Sequence, residues 1–457
     1  MGLATPATGA VSAIRRYGPL IIILVSYLVV GSLFAIYTPP WQAPDEPAHY
    51  NYVRQLAGGT WPVIEAGDYD EVYRSQAVSS RFAPDFPIEP LTYEDWQPPL
   101  YYMLLTPVFS LTGGALLPLR LTSLFLGLGV IVVTYAVGRR FWPGRHWLVL
   151  TAAAFVAFLP QHIAILSSVN NDSLSELIVA ILLWLLVNLT FAVRLGTNIA
   201  PVHWLATGIV LGLGFLTKAT VYIMAPVLAL TVVILFWKEW RTMWRNLLLL
   251  FIPAGLLGAI WWLRNLLVYE GFDPMATMAH DAVVLGQPRT VEWIASYGLA
   301  GTLERFAATT FRSFWGQFGW MGVLMDPRVY QVLLLFTAAV VAGIIWRLAA
   351  MRKGAKKQLH EHKRYLPHLI LLATFILNVL LYLGYNLTYV QHQGRYLFPA
   401  LIPIGLAVAT GIGAWIRPLA RQWPATASVV PVLFAATLLG LNLLALFQFI
   451  VPQLTLP

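Results

Sequence analysis

The 457-residue chain contains no cysteine, and only 11% of its residues are charged. Without cysteine there is no disulfide framework, no thiolate metal site and no cysteine nucleophile. Soluble domains carry about 25% charged residues. So little charge, beside 58% hydrophobic residues and a mean hydropathy of +0.70, excludes a soluble enzyme, a secreted scaffold and a nucleic-acid binder. Internal repeats, low-complexity tracts and a soluble C-terminal domain are also missing. What remains is a polytopic membrane protein. Its 18 Trp, 20 Tyr and 23 Phe suit interfacial belts as well as packed helices.

A membrane-crossing helix needs about 20 mostly apolar residues. Runs near 18–37, 117–137, 147–167, 174–193, 202–217, 219–237, 247–267, 329–347, 366–384, 397–415 and 426–450 predict an all-α fold with about 11 spans in one integral membrane domain, 1–457. The first run follows Arg15 and Arg16 with no small-residue cleavage site, so it reads as a retained helix rather than a signal peptide. Lys and Arg collect in cytoplasmic loops. An inside N-terminus places Arg139, Arg140, Arg145, Arg194, Lys238 and the basic run from Arg347 to Arg364 on the inner side, with only Glu239 and Glu361 as inner acids. The formal charge of +9 is then a topology signal rather than a sign of nucleic acid. The Lys-rich inner loop, about 348–365, reads as a contact for anionic lipid.

Two outer segments, 38–116 and 268–328, are too long to be plain connectors. The first carries most of the outer acids, among them Asp45, Glu46, Asp70, Glu89, Glu94 and Asp95, and ends in Trp96-Gln97-Pro98-Pro99-Leu100-Tyr101-Tyr102. That stretch predicts a Pro-started amphipathic helix in the interface. The aromatic run around Phe311–Trp320 predicts a second one. Chemistry, if present, belongs on this outer face.

Just past the first span stands Pro39-Pro40-Trp41-Gln42-Ala43-Pro44-Asp45-Glu46-Pro47-Ala48-His49. Adjacent carboxylates between prolines at a membrane boundary are costly to place, and ionisable groups there are functional candidates. Asp45 or Glu46 with His49 falls at helical i, i+3/i+4 spacing. The alternative is an N-cap at Asp45 opening a helix over 47–57. Both readings stay open on residue chemistry alone.

This segment resembles the membrane glycosyltransferases of the GT-C superfamily, as do Gln97-Pro98-Pro99-Leu100-Tyr101-Tyr102, Arg120-Leu121-Thr122-Ser123 and Leu211-Gly212-Leu213-Gly214-Phe215-Leu216-Thr217-Lys218. Within it, Ser313-Phe314-Trp315-Gly316-Gln317-Phe318-Gly319-Trp320 and Gln393-Gly394-Arg395-Tyr396 look most like a bacterial family of predicted membrane proteins. Protein O-mannosyltransferases and aminoarabinose transferases are better-known members of the superfamily. The resemblance runs through nearly the whole chain in order. It implies a multi-pass protein of the bacterial plasma membrane, with a cytoplasmic N-terminus and an extracytoplasmic active site. The implied reaction moves a sugar from a polyprenyl-phosphate donor to a glycan, lipid or protein acceptor, with a first-loop acid as base.

The residue chemistry agrees with that implication. Transfer to a hydroxyl needs a carboxylate to take the proton and a cation to hold the departing phosphate. Asp45 is the expected base, with Glu46 orienting the acceptor, holding a metal or tuning its neighbour. Arg395, Lys218 and His392 are the expected phosphate ligands, and Arg120 is a weaker candidate because it also suits anchoring its span. His49, Gln97, Tyr101, Asp172, Trp315 and Gln317 are candidates to line the substrate path. Asp172 equally suits a capping arrangement with Glu176. Hard oxygen ligands such as Asp45 and Asp172 would suit a divalent metal, Mg or Mn, and the resemblance leaves metal dependence open. His280-Asp281 is a lone adjacent pair and carries no role. The rival readings are a transporter, for which inverted repeats and mid-membrane charges are wanting, and a non-catalytic lipid- or glycan-binding membrane protein.

Overall fold

The computed structural model describes residues 7–354 and 362–456, and most of the Lys-rich loop expected to contact lipid lies outside the described residues. The chain enters through α1 (Ala7–Tyr37), then passes three helices of the first long segment: α2 (Glu46–Ala57), α3 (Glu71–Ser79) and α4 (Leu100–Thr112). It continues through α5 (Leu116–Phe141), α6 (His146–Phe158), α7 (Pro160–Leu166), α8 (Asp172–Arg194), α9 (Pro201–Phe215), α10 (Met224–Phe236) and α11 (Trp240–Val268). The second long segment holds α12 (Thr277–Val283), α13 (Thr290–Trp315) and a hairpin of β1 (Gln317–Phe318) with β2 (Val323–Leu324). Then follow α14 (Pro327–Gly354), α15 (His362–Thr388), a 3-10 turn Gly394–Ala400, α16 (Leu401–Gln422), α17 (Thr426–Leu444) and α18 (Val451–Leu454).

Among the described residues, nine helices are long and apolar enough to cross a membrane. The fold is an all-α polytopic membrane protein. Two of the expected spans deviate. The run near 147–167 is broken into α6 and α7, bent by 57°. Pro160 has no N–H to give to the Val156 carbonyl four residues back. The His162 ring occupies the gap, its Nδ1 2.8 Å from that carbonyl and its Nε2 2.7 Å from Glu176 Oε2. The run near 202–217 forms only the 15-residue α9, packed tightly on α11. A Cβ at Gly208 would lie 2.2 Å from the Leu250 carbonyl, so only glycine permits the approach.

The two long segments gather at one end of the bundle and share an apolar core that includes Ala48, Ile64, Leu91, Tyr93 and Val284. Trp320 Nε1 donates to the Trp41 carbonyl at 2.9 Å, tying the hairpin to the turn before α2. The expected interfacial helix after Pro99 is α4, whose Tyr101 and Tyr102 are fully buried while Met103 and Leu104 face outward.

Candidate active site

Asp45 adopts a left-handed backbone conformation, φ 67° and ψ −4°, immediately before α2. This is an uncommon region for a residue with a side chain, although Asp tolerates it better than most. Its backbone carbonyl accepts from His49 N at 3.0 Å, but its carboxylate caps nothing on the helix. It turns away instead. Arg395 Nη2 donates to Asp45 Oδ2 at 2.6 Å, and the Tyr93 hydroxyl donates to Oδ1 at 3.1 Å. Burial alone would push the Asp45 carboxyl up, but the Arg395 guanidinium outweighs it and holds the group below the usual carboxylate range. Asp45 is therefore an anion throughout the neutral range.

The neighbouring residue faces elsewhere. Glu46 is wholly buried and takes Arg120 in a two-pronged ion pair, Nε to Oε1 at 2.8 Å and Nη2 to Oε2 at 2.6 Å. Its oxygens also accept the backbone N–H groups of Trp41 and Val169. Arg120 uses its remaining donors on the carbonyls of Ala35, Thr38 and Pro39. Asp45 stands outside the helix at positive φ while Glu46 opens it, so the two adjacent carboxylates part company here. Glu46 and Arg120 clamp the end of α1 to α2 and α5.

Arg395 comes from the 3-10 turn, where backbone sterics set its place. A Cβ on Gly394 would come within 2.4 Å of Phe314 N and 2.5 Å of the Thr310 carbonyl on α13. Gly394 N donates to Ser313 Oγ at 2.7 Å, locking the turn against that helix. The Arg395 side chain is 6% exposed, and its Nε and Nη1 donors are buried with no partner. Buried donors of this kind are rare.

Lys218 arrives from the unwound end of α9. There Leu100 N, at the start of α4, donates to the Leu216 carbonyl at 2.9 Å. This explains why α9 is short: the helix stops so that Lys218 reaches the same end as Asp45. Lys218 Nζ donates to Asp172 Oδ1 at 2.6 Å and to Asn171 Oδ1 at 2.8 Å. Asp172 therefore forms an ion pair rather than a cap, and Glu176 turns to His162 instead of closing a capping box. Asn171 Nδ2 continues the chain to Gln97 Oε1 and the Tyr102 hydroxyl, both 3.3 Å away. The Tyr102 hydroxyl lies 2.8 Å from His49 Nδ1. Burial lowers the His49 imidazole to about 3, so it is neutral at physiological pH.

These groups border a cavity of about 420 Å³ at the long-loop end. Asp45, His49, Gln97, Lys218 and Arg395 line it; Glu46, Tyr101, Asp172, His392, Trp315 and Gln317 do not. The Tyr101 hydroxyl is spent on Ser123 and Asn170. His392 stands edge-on between Trp293 and Phe306, and burial lowers its imidazole. Trp315 borders a separate apolar cavity of about 700 Å³ between α14 and α17, and Gln317 fixes the hairpin through Gln161 and Met321.

Several further groups line the cavity. His280 and Asp281, 3.0 Å apart, reach the cavity from α12, with the His280 ring against Trp96. Tyr382, Tyr385 and Tyr396 form an aromatic wall. Glu94 lies beside Asp45, and its carboxyl is pushed up to about 8 by burial and by the Asp45 charge. The one signal for Glu94 in the sequence is its place three residues before Gln97.

A divalent metal does not suit this donor set. Asp45 and Asp172 are each satisfied by a basic nitrogen 2.6 Å away, and no three His, Asp or Glu side chains converge as a metal site among the described residues. Arg395 keeps two donors to spare beside Asp45, and such donors suit the oxygens of an anion.

A family model described as "Predicted membrane protein (DUF2142)" matches residues 89–404. The chain belongs to the DUF2142 family. Its matched region includes Glu94, Gln97, Lys218 and Arg395, while Asp45 precedes it. Among solved structures, this DUF2142 chain is similar to ArnT from Cupriavidus metallidurans. With ArnT bound to undecaprenyl phosphate, identity is 15% and TM-score 0.49, over 96% of this chain and 74% of the other. With apo ArnT, identity is 15% and TM-score 0.48, over 98% and 74%. No curated protein matches the chain.

Proposed function

We propose that this protein is a glycosyltransferase of the bacterial plasma membrane that takes a sugar from a polyprenyl-phosphate donor and passes it to an acceptor hydroxyl on the extracytoplasmic face. The observation that carries the reading is Arg395. It is buried at the bundle end beside the Tyr396 ring, bound to Asp45 by one nitrogen, with its Nε and Nη1 left without a hydrogen-bond acceptor. A phosphate supplies the oxygens such a guanidinium lacks. The GT-C resemblance of the sequence supports the same assignment.

In the reaction, the acceptor oxygen attacks the anomeric carbon while the sugar–phosphate C–O bond breaks. Its electron pair leaves on the lipid phosphate, which Arg395 and Lys218 hold. The acceptor proton passes to Asp45. While paired with Arg395, Asp45 is a weak base. A donor phosphate drawing Arg395 toward itself removes that stabilising charge and raises the Asp45 carboxyl, so base strength grows when the donor is bound. The aromatic wall of Tyr382, Tyr385 and Tyr396 suits an isoprenoid or sugar face.

Incubating the purified protein with polyprenyl-phosphate sugars and following release of the lipid phosphate separates a transferase from a transporter or a binding protein. Release that depends on an acceptor supports the reading, and binding without release favours the non-catalytic alternative. Arg395→Lys is expected to weaken donor binding by about 10–100-fold, since a point charge replaces a planar fork; unchanged affinity would remove Arg395 from the phosphate site.

Topology gives an independent check. A reporter fused after Arg352 is expected to be cytoplasmic and one fused at Asp70 extracytoplasmic, as the positive-inside distribution requires. The reverse result would put the cavity on the wrong face for this reading.

A further inference from the structure

Asp45, Glu94 and Asp281 line the cavity and Asp172 stands behind it on Lys218, and the pairing of these acids with basic groups is uneven, Asp281 lying 3.0 Å from His280. Asp45 holds Arg395 and Asp172 holds Lys218, while Glu94 forms no ion pair among the described residues. Glu94 is nevertheless fixed in place. Its backbone carbonyl accepts from Gln97 N at 2.9 Å, its side chain meets the Gln97 amide, and the adjacent Tyr93 is tied to Asp45. The Glu94 Oε2 atom is buried and has no hydrogen-bond partner. A buried oxygen bordering a ligand cavity with nothing to bond is a position held for something that enters.

We propose that Glu94 is a neutral carboxylic acid in the resting protein and donates a hydrogen bond to the phosphate of the lipid-linked donor, as a third phosphate ligand beside Arg395 and Lys218. This rests on the donor reading given above. No covalent step is involved: the proton stays on Glu94 and is shared with a phosphate oxygen. Burial raises the Glu94 carboxyl first and the Asp45 charge second. With both cations engaged by other anions, a third negative charge beside Asp45 in a buried cavity is unfavourable, and the carboxyl sits at about 8. A buried acid kept neutral can donate where a carboxylate would repel the anion.

The pH dependence must be separated from the other groups facing Glu94. Lys218 is held by Asp172 and Asp281 by His280, Arg395 stays a cation and Asp45 an anion, His49 is neutral, and Tyr93 and Tyr385 are raised by burial. His280 on α12 is lowered by burial, away from the alkaline range. Asp95 is the one confounding group, since burial raises it to about 8 as well; it bonds Gln55 Nε2 and does not line the cavity. Asp95→Asn therefore serves as the control.

The test measures binding of undecaprenyl phosphate to the purified full-length protein by native mass spectrometry at pH 7.0 and 9.0. The second ionisation of a phosphate monoester lies near ~6, so the charge on the probe changes little across this interval. Wild type and Asp95→Asn are expected to lose about 10–100-fold in affinity from pH 7.0 to 9.0 as Glu94 ionises. Glu94→Gln keeps an N–H donor and is expected to bind at pH 7.0 nearly as well as wild type, with the pH dependence gone. Glu94→Ala is expected to be weak at both values. The inference is overturned if Glu94→Gln shows the wild-type pH fall, or if Glu94→Ala binds like wild type. Failure of the wild type to bind at either pH would instead overturn the donor reading, and the Glu94 inference with it.

Discussion

Asp45→Asn is expected to lower sugar transfer by about 10²–10⁴-fold, the usual contribution of a general base, while the protein stays folded and donor-competent. Asparagine is nearly isosteric and tolerates the left-handed backbone found at this position. Its amide oxygen can still accept from Arg395. The substitution removes the charge that competes with phosphate for that guanidinium, so donor affinity is expected to hold or to rise. Turnover and donor binding measured separately would thus move apart. A variant losing both together would show that Asp45 only braces Arg395. Full transfer by Asp45→Asn in a folded protein would remove Asp45 as the base.

Glu46→Gln has the opposite signature. The Glu46–Arg120 pair is almost wholly shielded, with side-chain exposures of 0% and 3%. Removing one charge of such a pair leaves the other buried and uncompensated, which costs about 3–5 kcal/mol. The expected result is a large drop in thermal stability in detergent, with transfer lost only as far as folding is lost. Glu46→Leu combined with Arg120→Met should recover only part of that stability, because it removes the stranded charge but leaves the Trp41 and Val169 N–H groups and the Ala35, Thr38 and Pro39 carbonyls without these partners. A Glu46→Gln protein of wild-type stability that transfers no sugar would return Glu46 to the chemistry.

These two neighbours show where sequence reasoning reaches its limit. Composition and hydropathy gave the helical membrane fold, because a 20-residue apolar run has few other uses. The proline-flanked acids, the Lys at an apolar junction and the Gly-Arg turn were legible as unusual, and the structure brings Asp45, Lys218 and Arg395 to one cavity. Which of two adjacent acids faces that cavity was not legible. It depends on a positive φ at Asp45 and on Arg120 arriving from another helix 74 residues on. Trp315 and Gln317 read as candidates to line the substrate path, but Trp315 packs on Phe155 and Phe336 and the hairpin ties Gln317 to Met321. Glu94 was one outer acid among many, distinguished only once the other carboxylates had claimed the two cations. Long-range pairing of this kind has no local signature.

Whether Arg395 is a phosphate site beside the base can be read from a structure of the full-length protein in lipid nanodiscs with undecaprenyl phosphate. Phosphate density is expected within hydrogen-bond reach of the Arg395 guanidinium, with Lys218 nearby and the 2.6 Å contact between Arg395 and Asp45 lengthened or broken. Phosphate density elsewhere in the protein, with that contact intact, would contradict it.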